Sequence, residues 1–220
     1  MTAKVELGRG EGARGGWGVW VLATALAELF GVVLGACWWV WADGLNPEPD
    51  GLAQQLAMLL LKALSGAPEG LVLGLTQASL LSRRLPQLSV VRWTAATCAV
   101  AVVGWAVGSS FAIFATGDGG ATFDPGVGET ILMAAGFGLV VGALFGGAQS
   151  LALGGLGVSR WPWILGNATG WAMGLPAIYV AASGAAVAPL WILGAVGGLV
   201  AGAFVGLATA VAAAFMTRRV

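Results

Sequence analysis

Two acids stand inside otherwise apolar stretches: Glu28 within the run from Trp17 to Trp41, and Glu69 within the run that ends at Arg83-Arg84. An ionised side chain at the centre of a membrane-spanning helix costs roughly 3 kcal/mol, and residues of this kind usually mark ion or proton paths. Glu28 lies about 12 residues into its run and Glu69 about 14 residues before Arg83, so at ~1.5 Å per residue both fall near mid-membrane, where they can share a proton or a cation. Thr24, Glu28, Gly31 and Gly35 follow i, i+4, i+7, i+11 spacing, which puts Glu28 on a small-residue face pointing into a bundle. Lys62 and Ser65 share a face with Glu69; Lys62 either snorkels to the outer interface or reaches Glu69 and neutralises it. The structural alternative has Glu28 protonated and bonded to Thr24 or a facing carbonyl, and Glu69 satisfying backbone groups freed at a Pro68 kink. Asn167, Gln77 and Gln149 complete the candidate ligand- or ion-binding set. For the two glutamines the bland role is hydrogen-bonded glue between helices. Asn167 is read as the counterpart of Glu28 and as completing a polar centre with it.

Other chemistry is poorly provided for. With no histidine, the commonest metal ligand and general base is missing, and Cys37 and Cys98 have neither zinc spacing nor helix positions that suit a disulfide. No G-x-S-x-G elbow is present. We therefore expect no enzyme, no catalytic or metal residues and no cofactor. Ten basic residues balance ten acidic ones, so nothing recommends nucleic acid. The chain is 58% hydrophobic and only 9% charged, against about 25% charged in a soluble domain. It reads as an all-α polytopic membrane protein whose first partner is the lipid bilayer.

A repeat positions these residues. Gly66, Gly70 and Gly74 lead to Gln77; Gly138, Gly142 and Gly146 lead to Gln149; Gly198, Gly202 and Gly206 lead to Thr209. The four-residue step clears one side of a helix so that a neighbouring backbone can approach. The preceding apolar runs carry Gly31/Gly35, Gly104/Gly108 and Gly170/Gly174, with Trp20, Trp93 and Trp161 near their starts. By this register Glu28 corresponds to Ala101 and Asn167, and Glu69 to Val141 and Ala201. Trp105 and Trp171 follow equivalent glycines, as packing fillers or as a face for a flat apolar ligand such as a quinone or pigment.

The expected organisation is a cytoplasmic tail over 1–16, a six-helix transmembrane domain over 17–216 and a cytoplasmic end at 217–220. The domain divides into three helical hairpins, 17–84, 91–155 and 160–216. Hairpins repeated in one orientation predict a pseudo-threefold bundle about the membrane normal. Helix 2 is expected to kink at Pro68. The loops Asp43–Asp50 and Gly117–Glu129 are acidic, whereas Lys4, Arg9, Arg14, Arg83, Arg84, Arg92, Arg160, Arg218 and Arg219 fall on the opposite side. The positive-inside rule then makes both termini cytoplasmic and the location the cell (inner) membrane.

Three stretches, Trp20-Val-Leu-Ala-Thr-Ala-Leu, Gly146-Gly-Ala-Gln149-Ser-Leu, and Trp161 through Gly170-Trp171 to Gly174, resemble a group of bacterial six-span membrane proteins with repeated G-x-x-Q and W-x-G-W hairpins. That group has no established activity, so the resemblance implies a fold and no function. Glycine stripes on every helix point to a non-catalytic packing or accessory subunit that binds other membrane subunits or itself. The alternative is a small proton- or cation-dependent transporter or channel using Glu28 and Glu69. The orientation is checked by fusions: a reporter that fluoresces only in the cytoplasm should light up at the C-terminus, and alkaline phosphatase should be active after Asp50 and after Gly128. Active phosphatase at the C-terminus overturns it.

Overall fold

In the computed structural model the structure describes residues 4–5, 11–114, 126–216 and 218–219, with side chains described over 16–114 and 126–216. The chain is helical: α1 (Glu11–Leu45), α2 (Gly51–Ala63), α3 (Gly66–Ser82), α4 (Val90–Phe114), α5 (Val127–Ala152), α6 (Trp161–Ala182) and α7 (Leu190–Ala214). Two-residue strands β1 (Lys4–Val5) and β2 (Arg218–Arg219) pair antiparallel and bring the chain ends together. Five segments, with α2 and α3 counted as one, are long and apolar enough to cross a membrane: Gly16–Leu45, Gly51–Ser82, Val90–Phe114, Val127–Ala152 and Leu190–Ala214. In α6 the residues that lower hydropathy, among them Asn167, Gly166, Gly170 and Gly174, are buried against neighbouring helices. Most of the expected acidic loop Gly117–Glu129 lies outside the described residues.

Proline explains why helix 2 is two helices. Pro68 has no N–H for the Leu64 carbonyl and its ring crowds that carbonyl, so the ladder breaks at Leu64–Ser65, one turn ahead of the proline. The freed carbonyls find other donors. Leu64 O accepts from Ala67 N at 3.0 Å, and Lys62 O from Ser65 N at 3.1 Å and from the Ser65 hydroxyl at 2.6 Å. Leu61 O accepts the Trp38 indole N–H at 2.9 Å.

The glycine stripes govern how the helices meet. Gly66, Gly70 and Gly74 of α3 lie against Ala101, Cys98 and Thr94 of α4. Gly138, Gly142 and Gly146 of α5 lie against Trp171, Asn167 and Ile164 of α6, and Gly198, Gly202 and Gly206 of α7 against Leu29, Ala25 and Val21 of α1. At each of these nine positions a Cβ would come within 3.1 Å of the facing helix, mostly of its backbone. The partners run in opposite order in all three cases, so each contact is antiparallel. Contacts of α1 with α3, of α4 with α5 and of α6 with α7 complete a ring that closes on itself.

These contacts correct the register read from the sequence for α6. Val21, Thr94 and Ile164 meet Gly206, Gly74 and Gly146, and Ala25, Cys98 and Ala168 meet Gly202, Gly70 and Gly142. Asn167 therefore takes the place of Thr24 and Thr97, and Trp171 the place of Glu28 and Ala101, one turn from the expected pairing. Gly174, not Gly170, stands where Gly31 and Gly104 do. The difference arises because Gly170/Gly174 fits G-x-x-x-G, while the contacts match Gly31 and Gly35 with Gly174 and Ile178. By the same shift it is Trp163, not Trp161, that joins Trp20 and Trp93.

A Leu at Gly142 would drive its side chain into the Asn167 carbonyl and force α5 from α6, whereas at Gly136 no heavy atom lies within 4 Å. Overpacking of this kind costs about 1–3 kcal/mol. We expect Gly142→Leu to lower the thermal midpoint in detergent by several degrees and Gly136→Leu to leave it within about one. Equal behaviour of the two would remove the close-approach argument.

Candidate functional site

The interior is stacked in layers along the bundle axis. At the end nearest the chain termini, Trp20, Trp93 and Trp163 pack edge to face, with centroids 5.9 Å apart for Trp20–Trp163 and 5.1 Å for Trp93–Trp163. Leu81, Leu85, Leu88, Leu153 and Met216 join them in one apolar cluster. These three tryptophans are buried in the bundle, whereas Trp161 is 71% exposed.

A polar layer comes next. Gln149 accepts the Trp163 indole N–H at 2.9 Å and donates to Gln77 Oε1 at 3.1 Å and to Thr97 Oγ1 at 3.0 Å. Thr209, at the third stripe, accepts the Trp20 indole at 3.0 Å. Asn167 donates to the Trp163 carbonyl at 3.0 Å, just as Thr97 does to the Trp93 carbonyl at 2.9 Å. Gln77, Gln149 and Asn167 thus meet one another's neighbours and not the acids, so Asn167 does not form a centre with Glu28. Leu73, Phe145 and Val205 separate this layer from the next.

The acids occupy the following layer. Glu28 is fully buried, and neither of its carboxyl oxygens nor the Thr24 hydroxyl has a hydrogen-bond partner, so the expected Glu28–Thr24 bond is not formed. Glu69 is brought to it by close packing: its side chain crosses Gly31, one turn from Glu28, where a Cβ would sit 3.0 Å from Glu69 Cα and Cγ. Glu69 therefore packs against α1 about one turn from Glu28. Glu69 takes up no freed backbone group at the helix break; the Trp105 indole donates to its Oε2 at 2.5 Å. Lys62 points away to the far end, where its Nζ is 2.5 Å from Asp43 Oδ1 and 3.6 Å from the Trp39 ring centroid. Lys62 is itself buried in this contact and does not neutralise Glu69.

Beyond the acids the bundle opens into a cavity of about 510 Å³. Its wall is apolar and aromatic, drawn from Trp39, Trp105, Phe137, Phe145, Trp171 and Tyr179, with Glu69 at one side. The cavity follows from an unsealed seam. Between α6 and α7, Gly166, Gly170 and Gly174 sit tightly against Ala212, Val205 and Ala201; between α4 and α5, the nearest atom to a Cβ at Gly104 is Val141 Cγ1, 3.7 Å away. Phe145 stacks on Trp171 at 5.1 Å and 11°, and the Trp171 indole N–H is buried without an acceptor. Apart from the two deep indoles, no residue pattern pointed to the cavity. Its wall residues come from six helices and share no spacing.

Among the described residues no group of three or more Cys, Asp or Glu able to hold an ion occurs. Cys37 and Cys98 are free. No protein-family model, curated protein or solved structure matches the chain.

Gln149→Leu would strip acceptors or donors from Trp163, Gln77 and Thr97 at once. Each buried orphan costs about 1–3 kcal/mol, less where the unfolded chain finds partners in the membrane. We expect it to destabilise the bundle by more than Thr209→Val, which orphans only Trp20, in a denaturant titration in mixed micelles. The reverse order would mean that the amide is not the hub of this layer.

Proposed function

We propose that this chain is a small membrane transporter or channel that moves a proton or cation by way of Glu28 and Glu69. The observation that carries the reading is the acid pair itself: two buried carboxyl groups on adjacent helices, one of them on the wall of a cavity, with no basic side chain paired to either among the described residues. Burying such groups is costly, and an arrangement without a neutralising partner leaves room for a proton or cation to supply the charge. Transport suits an architecture of six spans, α6 being the sixth. Its 22 residues run between α5 and α7, and its polar groups face inward. The three antiparallel stripe contacts at matching offsets support a pseudo-threefold arrangement of hairpins. Basic residues at the end that holds the termini favour a cytoplasmic placement of that end in the cell membrane.

The accessory-subunit expectation drew on glycine surface beyond the needs of one bundle. The nine stripe glycines are occupied within this chain, and so are Gly31, Gly166, Gly170 and Gly174. Transport is thus the reading with a specific observation behind it. The bundle is closed at the terminal end by the tryptophan and leucine layer, so passage requires that layer to move.

The test is flux into liposomes loaded with a pH-sensitive or cation-sensitive dye. Wild type is expected to exceed empty vesicles, and Glu28→Gln and Glu69→Gln, folded by the criterion of the thermal midpoint, to lose at least about 90% of that excess. Wild-type flux equal to that of empty vesicles, together with stoichiometric co-purification of other membrane subunits, would restore the accessory role.

A further inference from the structure

Charge and lining together select among the possible occupants of the cavity. Glu69 is the one carboxylate on its wall among the described residues, and no Lys or Arg is found there. Lys62, the basic residue nearest to it along the chain, is engaged by Asp43 and Trp39. Behind Glu69 stands Glu28, with both carboxyl oxygens unpartnered. An anion would meet uncompensated acidic groups, and a neutral apolar molecule would leave them unmatched. An inorganic cation would find too few oxygen ligands, for the rest of the wall is aromatic and aliphatic. The faces of indole and phenol rings attract organic cations through their quadrupole, most strongly where water is excluded. The volume falls within the roughly 300–1,000 Å³ of small-molecule pockets.

We propose that this cavity binds a lipophilic organic cation, its charge matched by Glu69 and its body held among Trp105, Trp171 and Tyr179. The proposal deepens the transport reading, since it names the class of cation that the acid pair serves. The indole that bonds Glu69 keeps the carboxylate at the wall, so a bulky cation reaches it without entering the Glu28 layer.

The test uses the full chain in phosphatidylcholine nanodiscs with two probes of one shape and opposite charge, tetraphenylphosphonium and tetraphenylborate. Binding is read by calorimetry and by quenching of tryptophan emission, with empty nanodiscs subtracted. Tetraphenylphosphonium is expected to bind saturably, tetraphenylborate not to, and Glu69→Gln to weaken the cation by at least about tenfold. Gly104→Leu fills the cavity from a position with room for a Cβ and should likewise weaken binding while leaving the fold intact, so it decides the matter if Glu69→Gln does not fold. Equal binding of both probes, or affinity for the cation within about twofold of wild type in a folded variant of either kind, overturns the proposal. Binding of the phosphonium without any flux in liposomes would overturn transport and leave this site standing. Proton or inorganic-cation flux without phosphonium binding would do the opposite.

Discussion

Close approach of helix backbones at glycine is the constraint on which the rest of this bundle depends. In lipid there is no water to expel from between helices, so association relies on dispersion contact and on polar groups that find partners. Three stripes of glycine let α3, α5 and α7 press onto α4, α6 and α1, and these contacts determine which residue stands beside which. Once Gly202 sits over Ala25, Glu28 is turned inward; once Gly31 admits Glu69, the two acids share a layer. The polar layer and the tryptophan layer follow from the same three contacts, one turn and two turns further along.

The acid layer and the cavity arise where the stripes are unequal. The α6–α7 seam is sealed by Gly166, Gly170 and Gly174, whereas on α4 Gly104 meets only the Val141 side chain of α5 and Gly108 only the Tyr179 hydroxyl of α6. Bulk fills part of that gap, through Trp105 from α4 and the stacked pair Phe145 and Trp171. The broken helix contributes as well. Because Pro68 interrupts the α2–α3 ladder, Glu69 lies in the first turn of a new helix, facing Gly31 on one neighbour and Trp105 on another. A polar centre thus sits where three local irregularities coincide: a proline, an acid and a missing glycine.

Burial of Gln77, Gln149, Asn167 and Thr209 has a different character. Gln149 alone joins α3, α4 and α6, and its amide is used on both its oxygen and its nitrogen. Such a layer fixes the rotational setting of helices that apolar packing alone would let slip, since a one-turn shift would leave each amide unmatched. The shift is not hypothetical in sequence terms, for Gly166/Gly170 and Gly170/Gly174 both fit G-x-x-x-G, yet the contacts set Gly174 and Ile178 level with Gly31 and Gly35.

The sequence by itself determined the helices, their approximate ends and the faces on which they meet, because hydropathy and the four-residue glycine step are local properties that packing does not alter. It also singled out Glu28 and Glu69, since an acid in an apolar run is conspicuous without a fold. The break before Pro68 was legible to within one turn, displaced because a proline disturbs the carbonyl four residues back. Only the tertiary structure decided the rest. Lys62 could be read as turning to the outer interface or to Glu69, and the position of Asp43 at the end of α1 is what draws it away from Glu69. The register of α6 depended on the depth at which α5 docks, and the cavity on a seam left open between helices whose sequences look alike. Distances across a bundle are set by all its helices together, and no single stretch of chain encodes them.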